Sequence, residues 1–324
     1  MEKVDILLAT YNGEKYLSQQ LDSLLAQTYT NFRLIISDDM STDSTTEILK
    51  EYVQKDKRII VYTHDKNLGV VSNFEFLLTK VESKYYMFCD QDDIWNEDKI
   101  DKTMKKLQES NADLVFTDLE VVDDELKTIH NSYWELKGLK EKIEKYNSFN
   151  ALYLNNYVTG CTMLAKSETI KQVIPLPKNS KYVLHDYWLA LMVSQNGKIE
   201  FLNEPTIKYR QHTNNKVGSK TKSESLSGVK EIRELFIDVK KQHFNIFIEN
   251  EDKFIHENIK ELNKKALKYY EKLEKVKFIN FRGWNLFFKL YKYENKKYIL
   301  ENFLILNLPI IAAPLIKIRK KLKK

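Results

Sequence analysis

Three aspartates fall within four residues in Asp90-Gln91-Asp92-Asp93, directly after the apolar run Tyr85-Tyr86-Met87-Phe88-Cys89. Carboxylates crowded at the end of a strand repel one another, and a divalent cation with oxygen ligands relieves that repulsion. At the carboxyl edge of an α/β sheet, such a run is a place where a hard cation and a diphosphate can meet. The same residues could instead form an acidic loop capping a helix that begins near Glu97.

The elements that would carry this run alternate along the chain. Val4–Ala9 reads as a strand, and Tyr16–Ala26 as a helix with Leu17, Leu21, Leu24 and Leu25 on one face. Arg33–Ser37 is the second expected strand. The helix after it, Ser41–Val53, is signalled by Ser41-Thr42-Asp43-Ser44. Ile59–Thr63 is a third strand, Val71–Val81 a helix, and Tyr85–Cys89 the strand that delivers the aspartates. Glu97–Ser110 reads as helix, Leu114–Asp118 and Val158–Ala165 as strands, and Asp186–Ser194 as a short helix. This alternation predicts an α/β class with a mostly parallel sheet flanked by helices.

Parallel strands end on a common rim, so four loops are expected to share one crevice. They are Thr10-Tyr11-Asn12-Gly13, Asp38-Asp39, Asn67-Leu68-Gly69 and the acidic run. Together they offer backbone amides, acceptors for a base imide and ribose hydroxyls, and a metal site for a diphosphate. No Gly-x-Gly-x-x-Gly or Walker-type loop is present, so a metal has to substitute for glycine cradling of the phosphates. The lack of a glycine-rich basic loop after the first strand also argues against a sugar-nucleotide pyrophosphorylase.

At 324 residues the chain is long enough for one large α/β domain and an appendage. Its two cysteines, Cys89 and Cys161, lie in apolar runs and read as reduced core residues. The first residues, Met1-Glu2-Lys3-Val4-Asp5-Ile6-Leu7-Leu8, are too acidic and too short for a signal peptide, which predicts a cytoplasmic protein. A net charge of +6 conceals an asymmetry: residues 1–215 carry 26 Lys+Arg against 33 Asp+Glu, and residues 216–324 carry 26 against 13. The boundary divides an acidic body, 1–215, from a helical, basic region, 216–324. Basic residues interleaved with aromatic and aliphatic ones favour an anionic membrane surface over nucleic acid.

The first hundred residues resemble the family 2 glycosyltransferases of GT-A fold. The likeness rests on Ala9-Thr10-Tyr11-Asn12-Gly13, Leu17 through Gln27-Thr28-Tyr29, Ile36-Ser37-Asp38-Asp39-Met40-Ser41-Thr42-Asp43, Asn67-Leu68-Gly69 and Asp90-Gln91-Asp92-Asp93. It extends over roughly residues 1–215. Within the family the chain is similar to rhamnosyltransferase-type enzymes of bacterial surface polysaccharide synthesis. These share Thr159-Gly160-Cys161-Thr162-Met163, His185-Asp186-Tyr187-Trp188 and Tyr209-Arg210-Gln211-His212-Thr213-Asn214-Asn215. Met40 departs from the glycine that many members have, a change expected to alter only a turn.

The resemblance implies an inverting, metal-dependent transferase with a dTDP- or UDP-linked sugar donor and a glycan acceptor. L-Rhamnose from dTDP-rhamnose is the expected sugar, with a UDP-hexose or UDP-N-acetylhexosamine as the alternative. It gives Thr10, Tyr11, Asp38 and Asp39 to the pyrimidine and ribose, with Asn12 and Asn67 in the same loops. Asp92 would hold Mn²⁺ or Mg²⁺, with Asp90 supporting it on the donor side, and Asp186 would be the catalytic base. Desolvation between His185 and the aromatics Tyr187 and Trp188 could raise the Asp186 pKa usefully, although an N-cap role fits the same position.

His212 could complete the metal shell or remain a surface side chain in a polar loop. Asn73 could reach the diphosphate or lie on a helix surface. His185, Trp188, Gly160 and Cys161 are the acceptor-side candidates, with packing the competing role for His185. Asp123-Asp124-Glu125 reads as a solvated turn. In the tail, Trp284, Phe287, Phe288 and Tyr291 recur at helical spacing, interleaved with Lys289 and Lys292. Phe303–Ile316 is apolar apart from Asn307, is broken by Pro309 and Pro314, and precedes the basic stretch Lys317–Lys324. Fourteen residues are too few to span about 30 Å of hydrocarbon as a helix, so an interfacial segment at the inner face of the membrane is expected. The alternative is a helical lid packed on the catalytic domain or on a second copy of the chain. A non-catalytic partner of another transferase is the remaining rival, and Asp92 and Asp186 argue against it.

Overall fold

A computed structural model of the chain describes residues 1–146, 148–178, 180–212, 226–275, 284–291 and 296–307. The chain forms two compact units, Met1–Lys178 with Leu184–Lys216, and Asn179–Val183 with Val217–Lys324.

The first unit opens with three strand–helix repeats and a fourth strand: β1 (Val4–Thr10), α1 (Leu17–Leu25), β2 (Phe32–Asp38), α2 (Thr45–Lys55), β3 (Ile59–Thr63), α3 (Val70–Leu78) and β4 (Tyr85–Cys89). Then come β5 (Ile94–Trp95), α4 (Lys99–Ser110), β6 (Leu114–Val122), β7 (Thr128–His130) and three short helices, α5 (Tyr133–Lys137), α6 (Lys140–Tyr146) and α7 (Phe149–Leu152). The unit ends with β8 (Leu164–Lys166), α8 (Ile170–Val173), α9 (His185–Val193) and β9 (Ile199–Arg210). The strands form one sheet in the order β3-β2-β1-β4-β8-β6-β9-β5, with β7 hairpinned onto β6. Strands β1 to β4 are parallel, β8 runs against them, and β6 and β9 pair in parallel.

β1 and β4 are apolar on both faces because helices cover both sides of the sheet. On one face, Ile6, Leu8, Leu34, Ile36 and Met87 meet Leu17, Leu21 and Leu24 of α1, and the same cluster continues through Trp95, Ile100, Met104 and Leu107. At Arg33 a guanidinium fork grips Asp5 through Nε and Nη2 at 2.8 Å each, at the amino-terminal ends of β1 and β2. That leaves the carboxyl ends to carry the loops of interest.

Three sequence expectations shift. The second helix starts at Thr45 rather than Ser41, because Ser41 donates from N and Oγ to Asp38 and stays in the loop. Val158–Ala165 is not one strand: Gly160–Thr162 is a single 3₁₀ turn, closed by the Thr162 hydroxyl on the Thr159 carbonyl at 2.6 Å, and only Leu164–Lys166 pairs. β9, the longest strand, was not anticipated. Its buried positions follow no two-residue alternation, as expected for a strand whose register with β6 shifts at Asp118.

The second unit contains α10 (Leu226–Glu249), α11 (Glu257–Lys275), α12 (Trp284–Leu290) and α13 (Lys296–Asn307). Arg233 donates to the carbonyls of Leu306 (3.0 Å) and Leu273 (2.5 Å), joining α10 to both neighbouring helices. The aromatics of α12 differ from their expected interfacial role. Phe287 and Tyr291 are buried and stacked at 4.3 Å, and the Tyr291 hydroxyl meets that of Tyr270 at 3.1 Å. They form a helix-bundle core, while Phe288 stays exposed. Among the described residues no helix is long and apolar enough to cross a membrane. Pro309, Pro314 and the basic end Lys317–Lys324 lie outside the described residues, as do Thr213, Asn214 and Asn215.

Candidate active site

The crevice starts where β1 and β4 lie side by side while β2 and β3 continue on the other side of β1, the switch point of a doubly wound sheet. Gln91 ties the two edges together. Its Oε1 accepts the Tyr11 N–H at 2.8 Å, and its Nε2 donates to the Tyr11 carbonyl at 3.1 Å. A Cβ on Gly13 would stand 2.5 Å from Gln91 Oε1, so a larger residue there would displace the Gln91 amide from Tyr11. The Tyr11 ring is 48% exposed and open to a ligand. Asn12 adopts φ 48°, with its N–H on Ser41 Oγ and its Oδ1 on the Thr42 N–H.

The expected acidic acceptors serve the rim itself. Asp38 is 1% exposed and accepts from the Thr10 hydroxyl at 2.9 Å, the Ser41 hydroxyl at 2.6 Å and the Ser41 N–H at 2.9 Å. Asp39 is also buried and accepts from the N–H groups of Leu68 and Gly69, while Asn67 Nδ2 donates to the Asp39 carbonyl. Their carboxylates tie the loops of the rim to one another. Asn73 is a correction: rather than lying on a helix surface it is buried in α3, with its amide donating to the Ser37 carbonyl at 3.0 Å. Met40 sits exposed at φ 67°, a left-handed position that favours glycine, so the departure is confined to the turn.

β4 and β5 suspend the acidic run. His212, arriving from the end of β9, places Nε2 2.9 Å from Asp92 Oδ2, and its ring lies 4.9 Å from that of Tyr16, tilted by 33°. Ligand atoms of Asp90, Asp93 and Cys161 lie within 4.8 Å of one another. Burial, reinforced by the charges of Asp92 and Asp90, pushes the Asp93 carboxyl well above its ordinary range. Its Oδ2 is buried with no N–H or O–H donor on it among the described residues. The Asp93 carboxyl beside Asp90, with the Asp92 carboxylate next along the run, offers oxygen donors of the kind that a hard divalent cation takes. Cys161 is a free cysteine in the core, as expected, but it does not fit the acceptor side. It is too buried to meet an acceptor, and its thiol faces the acidic run.

Asp186 stands in the first turn of α9. Its Oδ2 accepts the Gly160 N–H at 3.1 Å and its Oδ1 the Tyr187 N–H at 2.6 Å. It remains partly open to solvent, yet burial pushes its pKa up to about 6 against those two N–H groups. Gly160 has a structural reason: a Cβ there would lie 3.0 Å from His185 Nε2 and 3.2 Å from Asp186 Cβ. His185 is packed rather than open, stacked on Phe74 at 3.8 Å, and burial pushes its pKa down to about 3. Trp188 is a second correction. Fully buried, with its indole N–H on the Val173 carbonyl at 3.1 Å, it presents no face to an acceptor.

The 3₁₀ turn joins the two halves, since Gly160 holds Asp186 while the next residue, Cys161, lies against Asp90 and Asp93. Asp123 caps its own turn by accepting from the N–H groups of Glu125 and Lys127, and Asp124 pairs with Lys15 and Tyr16. Sequence reasoning passed over Gln91 and Arg210. A neutral amide and a strand-end arginine carry no spacing signal that separates them from surface residues.

The sheet is mixed and helix-covered, with an aspartate-rich crevice at its switch point. The family model "Glycosyl transferase family 2" matches residues 5–173, and the chain belongs to that family. It is 32% identical over 225 residues to the dTDP-rhamnosyl transferase RfbG of Shigella flexneri, covering 65% of this chain and 74% of that one. It is 27% identical over 227 residues to an uncharacterized glycosyltransferase of Methanocaldococcus jannaschii, covering 69% and 76%. In fold it is similar to S. aureus TarS 1-349 in complex with UDP-GlcNAc, with a TM-score of 0.57 and 17% identity over 94% of this chain and 87% of that one. A mannosyltransferase from Pyrobaculum calidifontis, in complex with GDP-Man and Mn²⁺, gives a TM-score of 0.52 and 14% identity over 97% and 86%. The GT-A-type fold expected from the sequence is the fold found.

Proposed function

We propose that this glycosyltransferase is metal-dependent and inverting, and that it moves L-rhamnose from dTDP-rhamnose onto a growing bacterial surface glycan. The observation that carries the reading is the 3₁₀ turn that brings a carboxylate with a raised pKa, Asp186, beside the acidic run. Asp186 takes the proton of the acceptor hydroxyl as that oxygen bonds to the anomeric carbon and the bond to the nucleotide diphosphate breaks. A positioned base contributes about 10²–10⁴-fold to such a step. Attack opposite the leaving group inverts the centre, so a β-linked donor yields an α-L-rhamnoside. Asp92 and His212, with Asp90 at their side, would hold Mn²⁺ or Mg²⁺, which when bound supplies charge neutralisation for the departing diphosphate. Tyr11 and the loops shaped by Thr10, Asn12, Asp38, Asp39 and Asn67 receive the nucleoside.

The relative at 32% identity named for dTDP-rhamnosyl transfer supports the sugar. The basic charge of residues 216–324 supports peripheral contact with an anionic membrane, where a lipid-linked acceptor would reside. Donor hydrolysis by the purified protein tests the reading, run with dTDP-rhamnose, UDP-glucose, UDP-galactose and UDP-N-acetylhexosamines in Mn²⁺ or Mg²⁺ and then in EDTA. Metal-dependent dTDP release from dTDP-rhamnose alone is expected. Turnover of a UDP-sugar instead would discard rhamnose and keep the class.

A further inference from the structure

The end of β9 carries a residue that none of the chemistry above uses. Arg210 is 1% exposed, and its guanidinium spans three acceptors from distant parts of the chain. Nε donates to the Asp92 carbonyl at 2.9 Å, Nη1 to the Asp124 carbonyl at 2.6 Å, and Nη2 to Gln19 Oε1 of α1 at 2.6 Å. Its own backbone N–H reaches Asp93 Oδ1 at 3.3 Å. The face of the guanidinium lies 4.6 Å from the Tyr16 ring centroid, and that ring in turn lies 4.9 Å from the ring of His212.

We propose that Arg210 is the positioning residue of the candidate metal pair, its planar fork fixing the Asp92 backbone while its face, through Tyr16, fixes the His212 ring. This rests on the metal-dependent reading given above. The geometry is what only an arginine can satisfy. Three in-plane donors aim at three acceptors while the flat face stacks on an aromatic ring, and a lysine ammonium is a point charge that can do neither together. Groups that orient metal ligands in this way typically govern affinity by about 10–100-fold. Two ligands 120 residues apart in sequence, His212 and Asp92, thereby share one rigid support.

The test is Mn²⁺ binding followed by electron paramagnetic resonance of the free ion, with and without dTDP or UDP. The full chain is compared with Arg210→Lys, with Gln19→Ala and with Arg33→Lys. Arg33→Lys breaks a comparable guanidinium fork at the opposite end of the sheet, so it reports what general destabilisation does to the assay. Gln19→Ala removes one anchor at an exposed position and keeps the experiment decisive if Arg210→Lys fails to fold. The expected result is at least tenfold weaker Mn²⁺ binding in Arg210→Lys, a smaller loss in Gln19→Ala, and none in Arg33→Lys. Wild-type binding left unchanged by both Arg210→Lys and Gln19→Ala, or weakened equally by Arg33→Lys, would overturn the positioning role alone. No Mn²⁺ binding by the wild-type protein would overturn the metal reading and this inference with it.

Discussion

Asp186→Asn should make the protein less active and more stable at once. The side chain keeps its shape, and its remaining oxygen still accepts one of the two N–H bonds from Gly160 and Tyr187. It can no longer take a proton, so transfer should fall by about 10²–10⁴-fold with donor KM little changed. Stability moves the other way because burial raises the carboxyl from 3.8 to about 6. Below pH 3.8 the group is protonated in both folded and unfolded chains and contributes no difference. Between 3.8 and 6 the unfolded chain gives up its proton first, so stability falls as pH rises, and above 6 the full cost of a buried charge applies.

Two pH units correspond to an upper bound of about 3 kcal/mol, lowered by the partial exposure of the carboxylate. Losing a full negative charge at the first turn of α9 forfeits roughly 0.3–1 kcal/mol. A net gain of about 1–2 kcal/mol at neutral pH follows for the asparagine variant. Urea titration from pH 3 to 8, paired with donor hydrolysis and transfer rates, measures both effects. A variant that retains a tenth or more of wild-type transfer would refute the base assignment. One whose stability tracks the wild type at every pH would refute the burial argument.

Asp92→Ala should weaken nucleotide binding in Mn²⁺ while leaving the weaker binding in EDTA unchanged, which isothermal titration in the two buffers distinguishes. Gly160→Ala forces a Cβ to within 3.0 Å of His185 Nε2 and 3.2 Å of Asp186 Cβ. The displaced carboxylate should cut kcat and shift the acid limb of the pH–rate profile, while Mn²⁺ binding stays within twofold. Trp188→Ala should cost roughly 3–5 kcal/mol in denaturant unfolding, because the indole is wholly buried. Trp188→Phe, which retains most of the volume, should keep the acceptor KM unchanged; a large rise there would restore Trp188 to the acceptor side.

The first half of the fold was legible because its signals are local. Ile59–Thr63 and Tyr85–Cys89 carry uninterrupted apolar runs with abrupt polar ends, and both strands fall at the expected limits. The second half depends on pairing between remote segments. β9 shows no alternation because its register with β6 shifts, and Gly160–Thr162 turns away because Asp186, 26 residues on, captures the Gly160 N–H. Burial explains the site errors. Asn73, Trp188 and Cys161 have the right chemistry for ligand contact, and only packing reveals that each is enclosed. Asp38 and Asp39 were found by type and position, but a carboxylate shaping a loop looks in sequence like one awaiting a hydroxyl.

The acidic run is a bridge, not a flap. Asp90 to Asp93 hang between Cys89, the last residue of β4, and Ile94, the first of β5, whose two residues are stitched to β9. Four residues anchored at both ends have little conformational freedom left to lose, so their ordering entropy was spent when the sheet closed. A ligand arriving there finds its partners already in place, and affinity is not eroded by the need to organise a loop. Such a site should bind and release quickly, limited by the exchange of water around the ligand rather than by motion of the chain.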